Sequence, residues 1–251
     1  MKKTCFAAIF LLGLLLLSCG FLSNVSFAAD DNSIERIDMD VSIDADGTAH
    51  IKEIWTASVY QGTEGYRPYG NLYSSKITDF SVSDDLGNHY ELQENWYTSD
   101  TFHRKSGKCG IVNNGDTLEL CWGITEYGRR IYTLTYNITN IINQYDDAQG
   151  LYFSFIPEQM KQNPDSISVF IHTDMLELNE SNAKIWAYGY PNGTITFENG
   201  GVRMDSCGSL PSSHYMTALI QFPDRTFSTA VERGGSFDGK RCHHSGYDPV
   251  L

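Results

Sequence analysis

Positive charge is scarce in this sequence: 18 Lys and Arg stand against 31 Asp and Glu, a formal net charge of −13. Nucleic-acid binding needs a basic footprint, so that class of partner is excluded. Docking on anionic lipid head groups is disfavoured for the same reason. Catalytic signatures are missing too. There is no Gly-x-Ser-x-Gly elbow, and the histidines at 50, 89, 103, 172 and 214 stand outside any nucleophile pattern. The run GGSFDGK, Gly234 to Lys240, lacks the spacing of a phosphate-binding loop. No Cys-x-x-Cys occurs and Cys242-His243-His244 is a lone cluster, so no metal site and no cofactor are expected. The DADG at Asp44 to Gly47 lacks the third spaced oxygen ligand and the distal glutamate of a calcium loop, which leaves turn chemistry.

The N-terminus carries an export signal. Lys2 and Lys3 form its basic start, Phe6 to Leu17 its apolar stretch, and Ser26 to Asp30 (SFAAD) a small-residue cleavage site, giving a signal peptide over 1–28. Two alternatives stay open: lipidation of Cys19 in LLSCG, and an uncleaved anchor over Cys5 to Leu22. All three put the remainder on the same side of the membrane. The exported domain is expected over 30–228, followed by a tail at 229–251.

From Ile34 onward the texture is alternation broken by turns. Ile37, Met39, Val41 and Ile43 share one face of a strand that turns at Asp46-Gly47 into the next, Thr48 to Tyr60. A glycine- and tyrosine-rich loop, Gln61 to Asn71, is expected to follow. Further strands are expected at Ser75 to Ser83, Gly150 to Pro157, Ser166 to Thr173, Ala183 to Tyr188, Thr194 to Glu198, Val202 to Ser206 and Tyr215 to Phe222. At most one helical turn is expected, in Glu158 to Asn163. This spacing predicts an all-β, antiparallel β-sandwich with little or no helix outside the signal peptide. A candidate division into two lobes falls within 143–165, where charge, Gln and Pro gather.

The segment Lys108 to Gly123 (KCGIVNNGDTLELCWG) reads as a hairpin about Asn114-Gly115. That register brings Cys109 and Cys121 opposite or nearly so, a candidate disulfide in an exported chain. A one-residue slip would turn the two side chains to opposite faces.

Glu53 stands in phase with Ala49, Ile51, Trp55, Ala57 and Val59, on the apolar face of its strand. A carboxylate facing a core needs a partner or a shifted pKa. Arg67, in the loop that follows, is the cation at hand, and a guanidinium can hold a carboxylate by parallel hydrogen bonds. The expectation is a structural Glu53–Arg67 pair. A general acid in a glycoside-cleaving pair is the rival reading, but no second carboxylate is singled out. The aromatic residues Tyr66, Tyr69, Tyr73, Trp186 and Tyr190 form a candidate interaction surface for sugar or peptide, against the competing explanation of core packing.

The order of motifs is informative. A strand ending in DGT is followed by Ile51-Lys52-Glu53-Ile54-Trp55, YRPYG, SKITDFSV, YTLTYNI, LYFSFIP, MTALIQFP and GGSFD. Over Ile34 to Asp238 this resembles the extracytoplasmic N-terminal domain of the bacterial "predicted membrane protein" family, the YciQ-like group (domain of unknown function 2207). The resemblance implies a β domain outside the cytoplasm, followed by transmembrane helices, with no established chemistry. After Asp238 the sequence shows no apolar span, so contact with the membrane is expected only through the signal or a missing C-terminal anchor. The expectation is a non-enzymatic, exported domain, extracellular or on the cell surface, binding an envelope protein or a glycan. A carbohydrate-binding module or glycan-directed hydrolase is the alternative.

Overall fold

The computed structural model describes residues 31–238 except Asn71, Asp116 and Gln159. The signal segment, Cys5, Cys19 and the Cys242-His243-His244 cluster lie outside the described residues. In chain order the strands are β1 (Ser33–Ile43), β2 (Ala49–Val59), β3 (Glu64–Tyr69), β4 (Lys76–Asp84), β5 (Glu91–Gln93), β6 (Lys108–Asn113), β7 (Leu118–Gly123) and β8 (Gly128–Thr139). They continue as β9 (Ile142–Gln144), β10 (Gln149–Ile156), β11 (Pro164–Thr173), β12 (Lys184–Tyr188), β13 (Thr194–Glu198), β14 (Gly201–Asp205), β15 (Met216–Phe222) and β16 (Val231–Glu232). One short helix, α1 (Phe102–Lys105), lies among them. Among the described residues of 158–163 there is no helix, in keeping with the expectation of at most one turn there.

These strands make three sheets. The first has seven strands in the order β13-β14-β11-β1-β2-β8-β4, the second has four (β3-β7-β6-β5), and the third has five (β12-β15-β10-β9-β16). The all-β, mostly antiparallel expectation holds, with the strands arranged in three mixed sheets. Pairing is mostly antiparallel, with parallel pairs β1/β11, β5/β6 and β9/β16. From the end of the 143–165 region, β11 returns to pair with β1 over Ile34 to Ile43.

The elements follow from local chemistry. In β1 the residues Ile37, Met39, Val41 and Ile43 are buried while their neighbours face outward, the period-two signature of a half-buried strand. The β1–β2 turn closes with Asp44 N donating to Thr48 O, and with Gly47 at φ +78°. A Cβ on Gly47 would also sit 2.6 Å from Thr229 O, so glycine is needed there twice over. Among the described residues no helix is long and apolar enough to cross a membrane.

Two sequence expectations are corrected. The loop Gln61 to Asn71 contains strand β3, paired antiparallel with β7 from Glu64↔Gly123 to Tyr69↔Leu118. Its Gly and Pro suggested a loop, yet Pro68 sits on the edge strand of its sheet, where a missing N–H costs no ladder bond. The Cys109–Cys121 disulfide is absent, and both thiols are free and buried. The hairpin pairs Asn113 with Leu118 and closes through Asn114 N to Thr117 O, one register step from the expected turn. Cys109 therefore opposes Trp122 and Cys121 opposes Gly110, which turns the sulfurs to opposite faces. Burial pushes the Cys109 thiol up to about 11 and raises Cys121 further, helped there by Glu64 and Glu119, so neither is a reactive thiolate.

Candidate functional site

Glu53 lies in the middle of β2, on the core face between Ile51 and Trp55, and is completely buried. Alternation along β2 puts it there. The carboxylate is fully engaged. Arg67 Nε donates to Oε1 at 3.1 Å, Trp55 Nε1 donates to Oε2 at 2.6 Å, and the Tyr136 hydroxyl also donates to Oε1. Tyr69 and Tyr136 hydroxyls are hydrogen-bonded to each other. Since Tyr136 commits its one proton to Glu53, Tyr69 is the donor in that pair.

Arg67 is as buried as Glu53 and reaches all three sheets. From β3 in the second sheet its Nε meets Glu53 of the first, and its Nη2 donates to Phe155 O of the third. Its Nη1 donates to Pro68 O at 2.8 Å, and its Cζ lies 4.4 Å from the centroid of the Tyr69 ring. Burial pulls the guanidinium pKa down, but Tyr69 and the Glu53 carboxylate outweigh it, and the net shift is upward. Burial raises Tyr69 and Tyr136, so both remain neutral phenols able to donate. The result is a buried cation and carboxylate whose hydrogen bonds are met internally. That arrangement can tie sheets together, and it leaves no free carboxylate edge for a substrate.

A second feature lies beside this junction. A cavity of about 510 Å³ is lined by residues of β1, β2 and β3, with Trp55, Trp122, Ile124 and Tyr132 in its wall and Asp31, Gln61, Tyr66 and Lys161 at the more exposed part. Trp55 and Trp122 meet edge to face at 5.5 Å, and Trp122 meets Tyr132 at 5.6 Å. Gly65 makes room for this packing, because a Cβ there would lie 2.5 Å from the Trp122 ring. The indole Nε1 of Trp122 is buried and has no hydrogen-bond partner. Of the two carboxylates in the wall, Asp31 accepts from Gln61 Nε2 at 3.3 Å. Glu64 accepts from Trp96 Nε1 at 2.6 Å and from the Lys105 ammonium at 3.0 Å. Lys105 is itself buried and also donates to Thr63 Oγ1 and Thr98 O.

Glu53 and Arg67, singled out in the sequence, are thus brought together. The five aromatic residues of the candidate surface have different surroundings. Tyr66 lines the cavity, but Tyr69 is 3% exposed and faces the core, which removes it from any surface role. Tyr73 is exposed at φ +50°. Trp186 packs 6.1 Å from Phe237, and Tyr190 donates to Ser209 O and meets His214 edge-on. Sequence reading missed Trp55 and Tyr136 as partners of Glu53, and missed the Lys105–Glu64 pair. Trp55 had a signal, being two residues from Glu53 on the same strand face. Lys105 had none, since it sits on a four-residue helix whose sequence is wholly polar after Phe102. Among the described residues no group of three or more His, Cys, Asp or Glu is placed to hold a metal ion.

The model for the predicted membrane protein (DUF2207) N-terminal domain matches residues 33–222. The chain belongs to that family. The match begins at β1 and ends at the last residue of β15, so it takes in the junction and all of the cavity wall except Asp31 and Asn32. No curated protein matches the sequence. Among solved structures, similarity is found to a putative protease from Parabacteroides distasonis, at 14% identity and a TM-score of 0.39 over 78% of this chain and 41% of that one. Yeast LTA4 hydrolase matches at 6% identity and a TM-score of 0.43, over 76% of this chain and 29% of the other. An M1 zinc metallopeptidase from Deinococcus radiodurans matches at 10% identity and 0.38, over 75% and 42%. This chain spans less than half the length of each. The likeness is distant and transfers no site residue.

Proposed function

We propose that this chain is an exported, non-enzymatic β domain that acts by binding at the outer face of a bacterial envelope, as the extracytoplasmic part of a membrane protein. The observation that carries the non-enzymatic reading is the internal satisfaction of Glu53. The carboxylate best placed by sequence to be a general acid is sealed in the core by Arg67, Trp55 and Tyr136. Membership of a family of membrane-protein N-terminal domains supports the envelope setting, and the signal sequence supports export. The partner is an envelope protein or a glycan, not nucleic acid, in keeping with the acidic charge.

The aromatic cavity also favours the reading of a carbohydrate-binding module or glycan-directed hydrolase, because such walls suit sugar rings. One experiment separates the two. The full chain is expressed with its signal in a bacterial host, its accessibility to external protease is measured on intact cells, and the purified protein is assayed against cell-wall glycans for binding and cleavage. Accessibility without glycan turnover is the expected result. Glycan cleavage abolished by Glu53→Gln in a folded variant would establish the rival, and protection from external protease would remove the envelope placement.

A further inference from the structure

We propose that the cavity beside β3 receives an extended peptide, which adds as a new strand to the free edge of β3 and inserts an apolar side chain over Trp122. This rests on the binding role argued above and names its partner as a neutral or basic polypeptide segment.

The edge is open in a specific way. β3 is the terminal strand of its sheet. Ile124 N donates to Thr63 O at 3.1 Å, so at two-residue spacing Gly65, Arg67 and Tyr69 direct their backbone polar groups toward β7. Glu64 and Tyr66 direct theirs away from the sheet. Among the described residues no backbone hydrogen bond reaches those outward groups of Glu64 and Tyr66. Pro68, the next outward residue, has no N–H, and its carbonyl is taken by Arg67 Nη1. The template is therefore short, and it coincides with the cavity, since Glu64, Gly65, Tyr66 and Pro68 all line it. Unpaired strand edges are where extended peptides add, with main-chain bonds giving affinity and side-chain pockets giving selectivity.

The interior of the cavity fits an apolar side chain. Its volume of about 510 Å³ exceeds what one large side chain fills, and its inner wall is Trp55, Ala57, Val59, Trp122 and Ile124. Trp122 Nε1 is a buried donor without an acceptor, covered by Gly65, so the part of the ring left to the cavity is apolar. Charge selects the partner. Glu64 is already offset by Lys105, leaving Asp31 against Lys161 at the cavity, within a chain of formal charge −13 that repels acidic segments.

The test uses the full secreted chain and two sets of synthetic peptides of about ten residues, alternating apolar and polar positions as a strand does. One set is neutral to basic and the other acidic. Binding of the neutral-to-basic set is expected, with the Glu64 and Tyr66 amides becoming protected from hydrogen exchange. Tyr66→Pro removes an outward N–H without touching the β7 ladder, and Ala57→Leu fills the cavity; each is expected to weaken binding by about tenfold or more. If either variant fails to fold, the exchange experiment on the parent protein decides alone. No protection at Glu64 and Tyr66, equal affinity in both folded variants, occupancy by glycan alone, or pairing of the edge with a second copy seen as a dimer would each overturn the proposal. Peptide turnover would instead overturn the non-enzymatic reading, so the two failures are distinguishable.

Discussion

Arg67 Nε donates to Glu53 Oε1 at 3.1 Å at a point where all three sheets converge, and neither residue is exposed to solvent. A buried ion pair of this kind is weak evidence for net stability, because desolvation of both charges opposes their attraction. Its leverage lies in what happens when one partner is lost. Removing Arg67 leaves a carboxylate with two donors and no counter-charge. It also cuts the bond to Phe155 O in the third sheet.

Arg67→Met is therefore expected to destabilise the fold by about 3–5 kcal/mol, the cost of stranding a buried charge. Urea denaturation measures it directly. Limited proteolysis adds a local readout, since β3 should become cleavable first. Protection equal to that of the parent protein would deny the Arg67 anchor.

His50 makes a pH-dependent pair on the exposed face of the first sheet. Its Nε2 lies 2.6 Å from Asp44 Oδ2 and its Nδ1 lies 2.7 Å from Asn137 Oδ1. Asn137 Nδ2 is used at Asp79, which leaves its oxygen toward the ring. Both ring nitrogens thus face acceptors and both must donate, which calls for the imidazolium. The Asp44 hydrogen bond raises the His50 pKa above 6.5. The sign follows from a raised folded-state value: the contribution is fully present below the unfolded pKa and is lost as pH rises through the folded one. An NMR titration of the His50 ring should place its midpoint above that of an unfolded peptide, and Asp44→Asn should lower it. A midpoint at or below the peptide value contradicts the arrangement.

The thiols supply a chemical test of the hairpin register. Cys207 is exposed, whereas Cys109 and Cys121 are buried and unpaired. Alkylation of the native protein followed by peptide mass spectrometry should label Cys207 and spare Cys109 and Cys121 until denaturant is added. Recovery of a Cys109–Cys121 linked peptide from the non-reduced protein would mean a register one step away from the one described.

Asp84 supports the turn between β4 and β5. Its carboxylate accepts from the backbone N–H groups of Leu86 and Asn88, from Asn88 Nδ2, and from the hydroxyls of Tyr90 and Thr125. Burial opposes its ionisation, but the Asn88 bonds and their companions outweigh that and hold its pKa below 3.8. A depressed carboxylate contributes above the unfolded pKa and loses that contribution as pH falls through the folded one. Asp84→Ala is expected to cost about 2 kcal/mol near neutral pH, the scale of charge-assisted hydrogen bonds, and less in acid. A cost independent of pH across the acid range would count against this account.

How far the sequence carried the reading can be judged from particular strands. β1, β2 and β13 were legible because each alternates cleanly and is bounded by turn residues, so local pattern and tertiary burial agree. The Glu53–Arg67 pair was legible because a carboxylate at a core-facing position demands a partner, and only one arginine lay close by. β3 was not legible. Gly65 and Pro68 read as punctuation, and only pairing with β7 reveals that Gly65 clears space for Trp122 while Pro68 occupies an edge. The partition into three sheets was hidden for a related reason. The parallel pairing of β1 with β11 joins residues more than a hundred positions apart, and no local periodicity encodes it. The cavity likewise gathers Asp31, Trp122 and Lys161 from distant segments.

The central claim is that Glu53 and Arg67 act as one structural unit. A double-mutant cycle on unfolding, with Glu53→Gln, Arg67→Met and both together, tests it most directly. The expected result is strong coupling, in which the double variant recovers much of the stability lost by either single variant because no lone charge remains buried. Additive losses would contradict the claim, since they would mean the two groups act independently and the carboxylate is available for another purpose.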